Sequence, residues 1–271
     1  MTGVRLLDLL FPPACVGCRE LMRFEGFTRQ EVPSLCPACA AKWADEAAEV
    51  CGVCRLPVSE CACPTEEMAA AHIGEFRKLA YYRHGTRDPI PNRIVYRIKE
   101  YPDRRAVRFF AVGMADAVRK LLSDRGWTPE DTVLVWLPRG VRNRMRTGTD
   151  QAKRLAREIS DLTGIPALPL IVRRTGRSRE QKALSITERK RNAKEAFRLS
   201  EAHRVPAGTH GILIDDIVTT GASMAAGARL LRRAGITELA AVAALSDDAN
   251  RNGNEKQPML RGKGDVWEKV K

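Results

Sequence analysis

Residues Ile212–Ser223 read I-L-I-D-D-I-V-T-T-G-A-S, and this stretch decides the fold. Its first aliphatic residues indicate a short buried strand, and the small residues at its end lead into Met224–Arg233, which we predict to be a helix. A turn before a helix N-terminus offers backbone N–H groups, hydroxyls and the positive end of the helix dipole to an anion. Glycine in such a turn also lets the backbone approach a phosphate closely. The residues predicted to contact a phosphate are Thr219, Thr220, Gly221, Ala222 and Ser223.

Two adjacent carboxylates, Asp215 and Asp216, stand at the C-terminal end of the predicted strand. They can accept hydrogen bonds from a vicinal diol or hold a hydrated Mg²⁺. An N-capped helix is the simpler interpretation, but a cap needs one polar side chain. This stretch has two acids and three hydroxyls within nine residues. We therefore predict a sugar-phosphate site.

Elements on both sides of this stretch alternate between strand and helix patterns. Such alternation implies an α/β fold, a mostly parallel sheet flanked by helices that binds its ligands at the carboxyl ends of the strands. An aromatic edge strand is predicted within Gly74–His84, and Arg173–Arg191 is predicted to be a mobile loop. The remaining predicted strands are Thr132–Leu137, Ala167–Val172, Gly211–Asp216 and Glu238–Ala244, and the remaining predicted helices are Arg104–Leu122, capped by Asp103, and Gln151–Thr163, capped by Asp150.

All eight cysteines precede residue 64, mostly in pairs separated by two residues. Such pairs let two thiolates reach one tetrahedral Zn²⁺, so eight ligands predict two structural zinc sites. A disulfide framework requires a secreted chain, for which the sequence carries no signal, and a redox C-x-x-C does not occur four times. Neighbouring pairs give the simplest sites, although interleaved pairing is also compatible with the spacing. The predicted ligands are Cys15, Cys18, Cys36 and Cys39 for one zinc, and Cys51, Cys54, Cys61 and Cys63 for the other.

The positive charge is concentrated in one segment. The formal charge of the chain is +13, and residues 139–194 carry 16 Lys/Arg against 5 acids, a balance of 16 − 5 = +11. This exceeds what one sugar phosphate requires, so a polyanionic partner is a second hypothesis. No apolar run approaches the ~18 residues of a membrane span. We expect a cytoplasmic protein with no membrane span.

Two resemblances to known families follow from these motifs. The D-D-x-x-T-T-G-x-S pattern resembles the PRPP-binding signature of type I phosphoribosyltransferases, which implies that Asp215 and Asp216 contact the ribose and that residues 219–223 surround its 5-phosphate. A cysteine double ribbon before such a domain resembles the ComF family, whose members are linked to natural competence. This likeness covers nearly all of Leu6–Ser246. Its marks are the L-F-P-P-x-C-x-x-C opening, Lys99, Asp103, Leu137–Pro138, Asp150–Gln151–Ala152, Arg173, Gln181, Leu184, Arg189, Asn192 and Phe197.

The resemblance implies a double zinc ribbon over residues 1–70, a type I phosphoribosyltransferase-like domain over residues 71–246, and a tail over residues 247–271 that we expect to be disordered. It also implies transfer of a phosphoribosyl group from PRPP, bound with Mg²⁺, to an unknown acceptor. Arg139, Arg174 and Lys182 are the candidates for stabilising the leaving pyrophosphate.

Two departures weaken the enzyme hypothesis. The family's R-G-F-N-Q motif is R-T-G-T-D-Q at residues 146–151 and lacks the aromatic, and Thr219 stands where hypoxanthine-type enzymes place an acid. A threonine is no general base at neutral pH.

The alternative is a non-catalytic competence factor that binds single-stranded DNA through the basic segment and the cysteine ribbon, and that uses the PRPP pocket as a sensor or keeps it as a relic. Competence-machinery proteins are its implied partners.

Overall fold

The computed structural model describes residues 12–22, 33–101, 103–139, 150–174, 196–201 and 205–247. The predicted tail beyond Asp247, Lys182 and most of the predicted loop 173–191 lie outside these residues, as does most of the R-T-G-T-D-Q stretch. The described elements, in chain order, are α1 (Pro37–Ala47), α2 (Glu66–Ala69), β1 (Phe76–Tyr82), α3 (Ile90–Glu100), α4 (Arg104–Arg125), β2 (Thr132–Trp136), α5 (Gln151–Thr163), β3 (Ile171–Arg173), β4 (Phe197–Leu199), β5 (His210–Val218), α6 (Ala222–Arg233) and β6 (Leu239–Asp247).

Four of these strands form a parallel sheet in the order β1-β6-β5-β2. Strand β6 is central and buried along its whole length, as expected for a strand covered by helices on both faces. The predicted parallel sheet flanked by helices is therefore confirmed, and β1 is an edge strand as predicted.

Alternate residues of β5 send their side chains into two different apolar layers. Ile212 and Ile214 pack with α3, α4 and α5, whereas Leu213 packs with residues of α2 and α6 on the other face. Side chains of a strand alternate between the faces of a sheet, so each strand contributes to both layers. The cysteine-rich segment joins these layers too, because Cys15 and Val16 belong to the first and Met68 to the second.

The helix ends follow the capping residues of the sequence. Asp103 accepts a hydrogen bond from the Ala106 N–H at 3.0 Å and begins α4, and Asp150 caps α5 in the same way. Gly126 and Gly164 end these helices in the left-handed conformation. None of the described helices combines the length and apolar character needed to cross a bilayer.

The predicted strand Ala167–Val172 is present only in part, because Ile171 and Val172 belong to β3 and the residues before them do not form a continuous strand. Ala167 makes one parallel bridge with Leu134, and the chain then leaves the sheet to form β3, which pairs antiparallel with β4. The physical reason is Pro169, which has no N–H to donate to the ladder. Helix α3 had no counterpart among the predicted elements, and α6 begins two residues before its predicted start.

Candidate functional site

The acidic pair lies on β5, toward the carboxyl end of the sheet. Asp216 is almost fully buried and faces two cations. Its Oδ2 lies 3.0 Å from Arg139 Nη2 and 3.8 Å from Lys99 Nζ. Arg139 follows β2, the neighbour of β5, so parallel pairing brings its side chain to the same edge. Lys99 comes from α3 and was singled out from the sequence only as a family mark.

The pKa values of the two carboxyl groups are shifted in opposite directions. Burial, followed by the charge of Asp216, raises the pKa of Asp215 well above its ordinary value. Burial also acts to raise the pKa of Asp216, but Lys99 and Arg139 outweigh it, so the pKa of Asp216 is lowered. The Asp215 Oδ1 accepts a hydrogen bond from the Asp216 N–H at 2.8 Å. A cation or a hydroxyl donor that reached Asp215 would therefore stabilise its ionised form, which burial and the charge of Asp216 disfavour.

The predicted phosphate turn joins β5 to α6. Thr219, Thr220 and Ser223 are exposed, and the Thr220 hydroxyl accepts a 3.3 Å hydrogen bond from the Ala222 N–H. Gly221 is the N-cap of α6, so the positive end of a 12-residue helix begins at this turn. The five residues predicted to contact a phosphate thus form one contiguous turn beside the acidic pair.

Gly221 has a role within the protein that the sequence did not indicate. Its φ of +82° lies in the left-handed region, and an added Cβ would overlap Thr65 Oγ1 and lie 3.0 Å from Met68 Cγ. The Thr65 hydroxyl also donates a 3.0 Å hydrogen bond to the Thr220 carbonyl oxygen. The missing side chain of Gly221 therefore faces the segment that follows the last cysteine.

The eight cysteines form two groups of four. Within each group all Sγ atoms lie within 4.8 Å of one another, and the two sets are the ones obtained by joining neighbouring pairs. Cys18 Sγ and Cys36 Sγ are 3.7 Å apart, close to the ~3.8 Å edge of a tetrahedron with Zn–S bonds of ~2.3 Å. Both groups can hold a metal ion. We call Cys15, Cys18, Cys36 and Cys39 the first cluster, and Cys51, Cys54, Cys61 and Cys63 the second cluster.

Backbone N–H groups donate to sulfur atoms in both clusters. Burial acts to raise the pKa of Cys15, but the N–H groups of Cys18, Cys36 and Gly17 outweigh it and lower that pKa to about 7. Backbone donors lower the pKa of Cys51 to about 6 in the same way, against the effect of burial. These donors favour the thiolate, the form that binds metal.

A buried lysine contacts the second cluster. Lys78 on β1 is 4% exposed, and its Nζ donates to Cys61 Sγ at 2.9 Å and to the Cys63 carbonyl oxygen at 3.3 Å. Its ammonium group also lies 5.0 Å from the centre of the Phe76 ring. A buried charge is tolerated when it is paired, and here the partner is a sulfur of the cluster.

Of the three predicted catalytic cations, Arg139 and Arg174 are among the described residues. The guanidinium group of Arg139 contacts Asp216, and its backbone N–H donates to Asp150 Oδ2 at 3.2 Å. Arg174 is exposed just beyond β3, where its N–H donates to the Ala196 carbonyl. Lys182 lies outside the described residues.

Comparisons with known proteins identify two kinds of relative. The chain is 34% identical over 94 residues to Competence protein F of Haemophilus influenzae, which is 35% of this chain and 41% of that protein. It is 37% identical over 103 residues to DNA utilization protein YhgH of Escherichia coli strain K12, and 35% identical over 103 residues to the same-named protein of Salmonella typhi, which is 38% of this chain and 44% of each relative. The aligned region thus spans less than half the length of these curated relatives.

The names of these relatives agree with the resemblance to the ComF family that the sequence motifs indicate. No protein-family model matches the chain. Among solved structures, adenine phosphoribosyltransferase from Leishmania tarentolae aligns with 52% of this chain and 75% of its own, at 16% identity and a TM-score of 0.28.

Proposed function

We propose that this chain is a PRPP-binding, phosphoribosyltransferase-like protein of the ComF family that takes part in the handling of DNA during competence. One observation carries the proposal: the acidic pair on β5 is followed, at the start of α6, by a T-T-G-A-S turn whose three hydroxyl residues are exposed. The relatives named for competence and DNA utilization support the biological setting.

The two halves of this site would bind different parts of PRPP. Asp215 and Asp216 would accept hydrogen bonds from the ribose hydroxyls, and the turn Thr219–Ser223 would hold the 5-phosphate through its N–H groups and hydroxyls. Arg139, which lies 3.0 Å from Asp216, would contact the pyrophosphate of a ribose bound there. When bound, Mg²⁺ would neutralise part of the pyrophosphate charge, with the acidic pair at its side.

The same residues would favour departure of pyrophosphate if an acceptor is present. Cleavage of the C1–O bond builds positive charge on the ribose and negative charge on the leaving group. The carboxylates would face the former, while Arg139 and Arg174 would stabilise the latter. We assign no general base, because Thr219 cannot take a proton at neutral pH. Lys182 remains a predicted contributor to the same task.

Both cysteine clusters would hold structural Zn²⁺. Each offers four thiol ligands, and a site with four protein ligands leaves no position for a substrate. Zinc bound to four thiolates carries a formal charge of −2, so two sites would lower the formal charge from +13 to about +9.

Calorimetry with PRPP and Mg²⁺ tests the proposed ligand. Asp215→Asn combined with Asp216→Asn should abolish the binding heat, and Arg233→Gln, on the exposed end of α6, should leave it unchanged. No binding heat with the wild-type protein would reject the proposal.

Stability separates the two carboxylates and shows whether the variants fold. The raised pKa means that folding disfavours the ionised Asp215, a cost that grows as pH rises through and above the ordinary carboxyl range. Asp215→Asn should therefore raise Tm at pH 7 by about 2 °C or more, whereas Asp216→Asn should lower it by leaving Arg139 and Lys99 without their carboxylate.

A second function, binding of single-stranded DNA, is favoured by a cleft between the first cluster and α3. The cleft encloses about 280 Å³, and its lining consists of Gly17, Cys18, Arg19, Arg87, Arg93, Tyr96, Arg97 and Glu100. Arginines that approach an aromatic ring are suited to a phosphate backbone and its bases. Arg87 lies 4.5 Å from the centre of the Tyr96 ring, and Arg19 lies 5.5 Å from that of Tyr101.

Salt dependence and charge removal test this function. Affinity for a short oligonucleotide should fall steeply with added salt. Arg19→Gln with Arg93→Gln should weaken it about tenfold or more, and Arg233→Gln should serve as the neutral control. An affinity that salt and these substitutions leave unchanged would reject DNA binding at the cleft.

A further inference from the structure

The second cluster and the predicted phosphate turn are separated by very little chain. Cys63 is followed by Pro64 and then by Thr65, whose hydroxyl donates to the Thr220 carbonyl oxygen at 3.0 Å. The same Thr65 oxygen accepts a 3.4 Å hydrogen bond from the Met68 N–H and so caps α2. One side chain therefore joins the cysteine-rich segment to the backbone of the turn.

Packing around Gly221 reinforces this hydrogen bond. Met68 is fully buried and belongs to the same apolar layer as Met224 of α6. A Cβ on Gly221 would overlap Thr65 Oγ1, so Thr65 fills the space that any other residue at position 221 would need. The conformation of the turn and the position of Thr65 therefore depend on each other.

The other end of the connection is fixed to the sheet. The Phe76 N–H donates to the Ala62 carbonyl at 2.9 Å, and Lys78 Nζ donates to Cys61 Sγ and to the Cys63 carbonyl. The intervening Pro64 has a restricted φ. The second cluster is thus connected to the turn by Pro64, whose φ is restricted, and by the buried contacts of Thr65.

We propose that Thr65 is a positioning residue for the phosphate turn, and that it couples metal binding at the second cluster to PRPP binding at the turn. This inference rests on the proposed function. Metal at the second cluster holds Cys63 in place, which holds Thr65 against Thr220 and Gly221. Coupling between two sites is reciprocal, so PRPP strengthens metal retention at the second cluster by the same factor.

The first cluster provides the internal control. Its described hydrogen bonds to the rest of the protein come from α3 and α4, where Arg97 and Arg105 donate to the carbonyls of Cys15 and Ala14 at 2.9 and 2.8 Å. None of the described contacts of the first cluster reaches residues 219–223. PRPP should therefore leave metal retention at the first cluster unchanged.

The test on the wild-type protein measures zinc release to a colorimetric chelator with and without PRPP and Mg²⁺. Variants Cys36→Ser and Cys54→Ser each disrupt one cluster and so assign the two release phases. We expect PRPP to slow release from the second cluster about fivefold or more and to leave the first unchanged. Release that PRPP leaves unchanged at both clusters, or slows equally at both, overturns the proposal.

The test on the residue itself uses Thr65→Val with Thr65→Ser as the rescue. Valine keeps the shape but removes the hydroxyl, so the Kd for PRPP should rise about tenfold and the effect of PRPP on zinc release should disappear. Serine keeps the hydroxyl and should restore both. A valine variant that retains the coupling contradicts the role of Thr65, and if it does not fold, the wild-type release experiment still decides.

Failure of this inference can be told from failure of the proposed function. If calorimetry detects no PRPP binding to the wild-type protein, both fall together. If PRPP binds with the expected loss in the Asp215→Asn, Asp216→Asn double variant but zinc release does not respond, the coupling alone is rejected.

Discussion

The two cysteine clusters have the same ligand set but are attached to the rest of the protein in different ways. The first cluster lies against α3 and α4, and arginine side chains reach across to backbone carbonyls on its loops, as Arg97 does to Cys15. The second cluster lies against the sheet, where Lys78 donates to Cys61 Sγ and the Phe76 N–H donates to the carbonyl of Ala62.

This difference teaches that two clusters with the same four-cysteine ligand set can contribute unequally to the stability of the fold. The first cluster also packs into the core through Cys15 and Cys39, but its polar contacts to α3 and α4 are made by arginines that are only partly buried, so water can take their place at the carbonyls. A buried ammonium and a backbone hydrogen bond next to β1 have no such alternatives. We therefore expect the second cluster to be the one whose loss disturbs the domain.

The largest effect should come from Cys61→Ser compared with Cys18→Ser. Cys61 is fully buried beside Lys78, so its replacement by serine removes a metal ligand and leaves the buried ammonium with a neutral hydroxyl in place of the sulfur of the cluster. Weakening the partner of a buried charge costs about 3 kcal/mol or more, and we expect a smaller loss from the less buried Cys18. Thermal unfolding together with zinc content measures both, and equal losses of stability would contradict the comparison.

Lys78→Met should weaken metal binding selectively. Methionine fills similar space without the charge, so the second cluster would lose the donor to Cys61 Sγ. Loss of such a supporting contact lowers metal affinity about 10- to 100-fold. Competition with a chelator reports this value, and Lys120→Met, an exposed lysine on α4, is the matched control. A similar change at both clusters would show that Lys78 acts on the fold as a whole.

Gly221→Ala should cost more than Gly235→Ala, although both glycines have positive φ. At Gly235 an added Cβ meets no atom within 4 Å, so the cost is the backbone strain alone, about 1 kcal/mol. At Gly221 the overlap with Thr65 adds to it, and we expect about 2 to 3 kcal/mol in urea denaturation. Equal costs would mean that α2 moves away from the turn freely.

The smallest effect should come from Arg105→Met near the first cluster. Its guanidinium donates to the Ala14 carbonyl at 2.8 Å and to the Pro33 carbonyl at 3.0 Å. Because water can replace it at both carbonyls, we expect a loss of about 0.5 to 1 kcal/mol. Urea denaturation measures this loss of unfolding free energy. A loss as large as that of Cys61→Ser would mean that both clusters are attached equally strongly to the domain.

The parts of the site that are local in sequence could be predicted from it. The acidic pair and the turn after it lie within nine residues, and paired cysteines reveal themselves by spacing. Neighbour pairing of the cysteines, one of two alternatives, is the arrangement in the structure. Zinc occupancy, PRPP contacts and the catalytic cations remain predictions.

The parts that depend on distant contacts could not be predicted. Thr65 and Thr220 are 155 residues apart, and no pattern in either segment points to the other. A lysine in a strand is ordinarily assigned to the solvent face, so nothing marked Lys78 as buried. Prolines also led to wrong local predictions. Pro169 interrupts a segment that was predicted to be one strand. Pro89 and Pro91 stand where a turn would be expected, but they begin α3.

Strand β1 has a consequence for the order in which the protein can fold. Its described partner in the sheet is β6, the last described strand, whose register joins Phe76 to Ala241. During synthesis the cysteine clusters leave the ribosome first, yet the strand on which the second cluster rests has no neighbour until residues 239–247 have emerged. The second cluster must therefore wait for residues 239–247, and a chain truncated before Leu239 would lack the strand that pairs with β1 beneath this cluster.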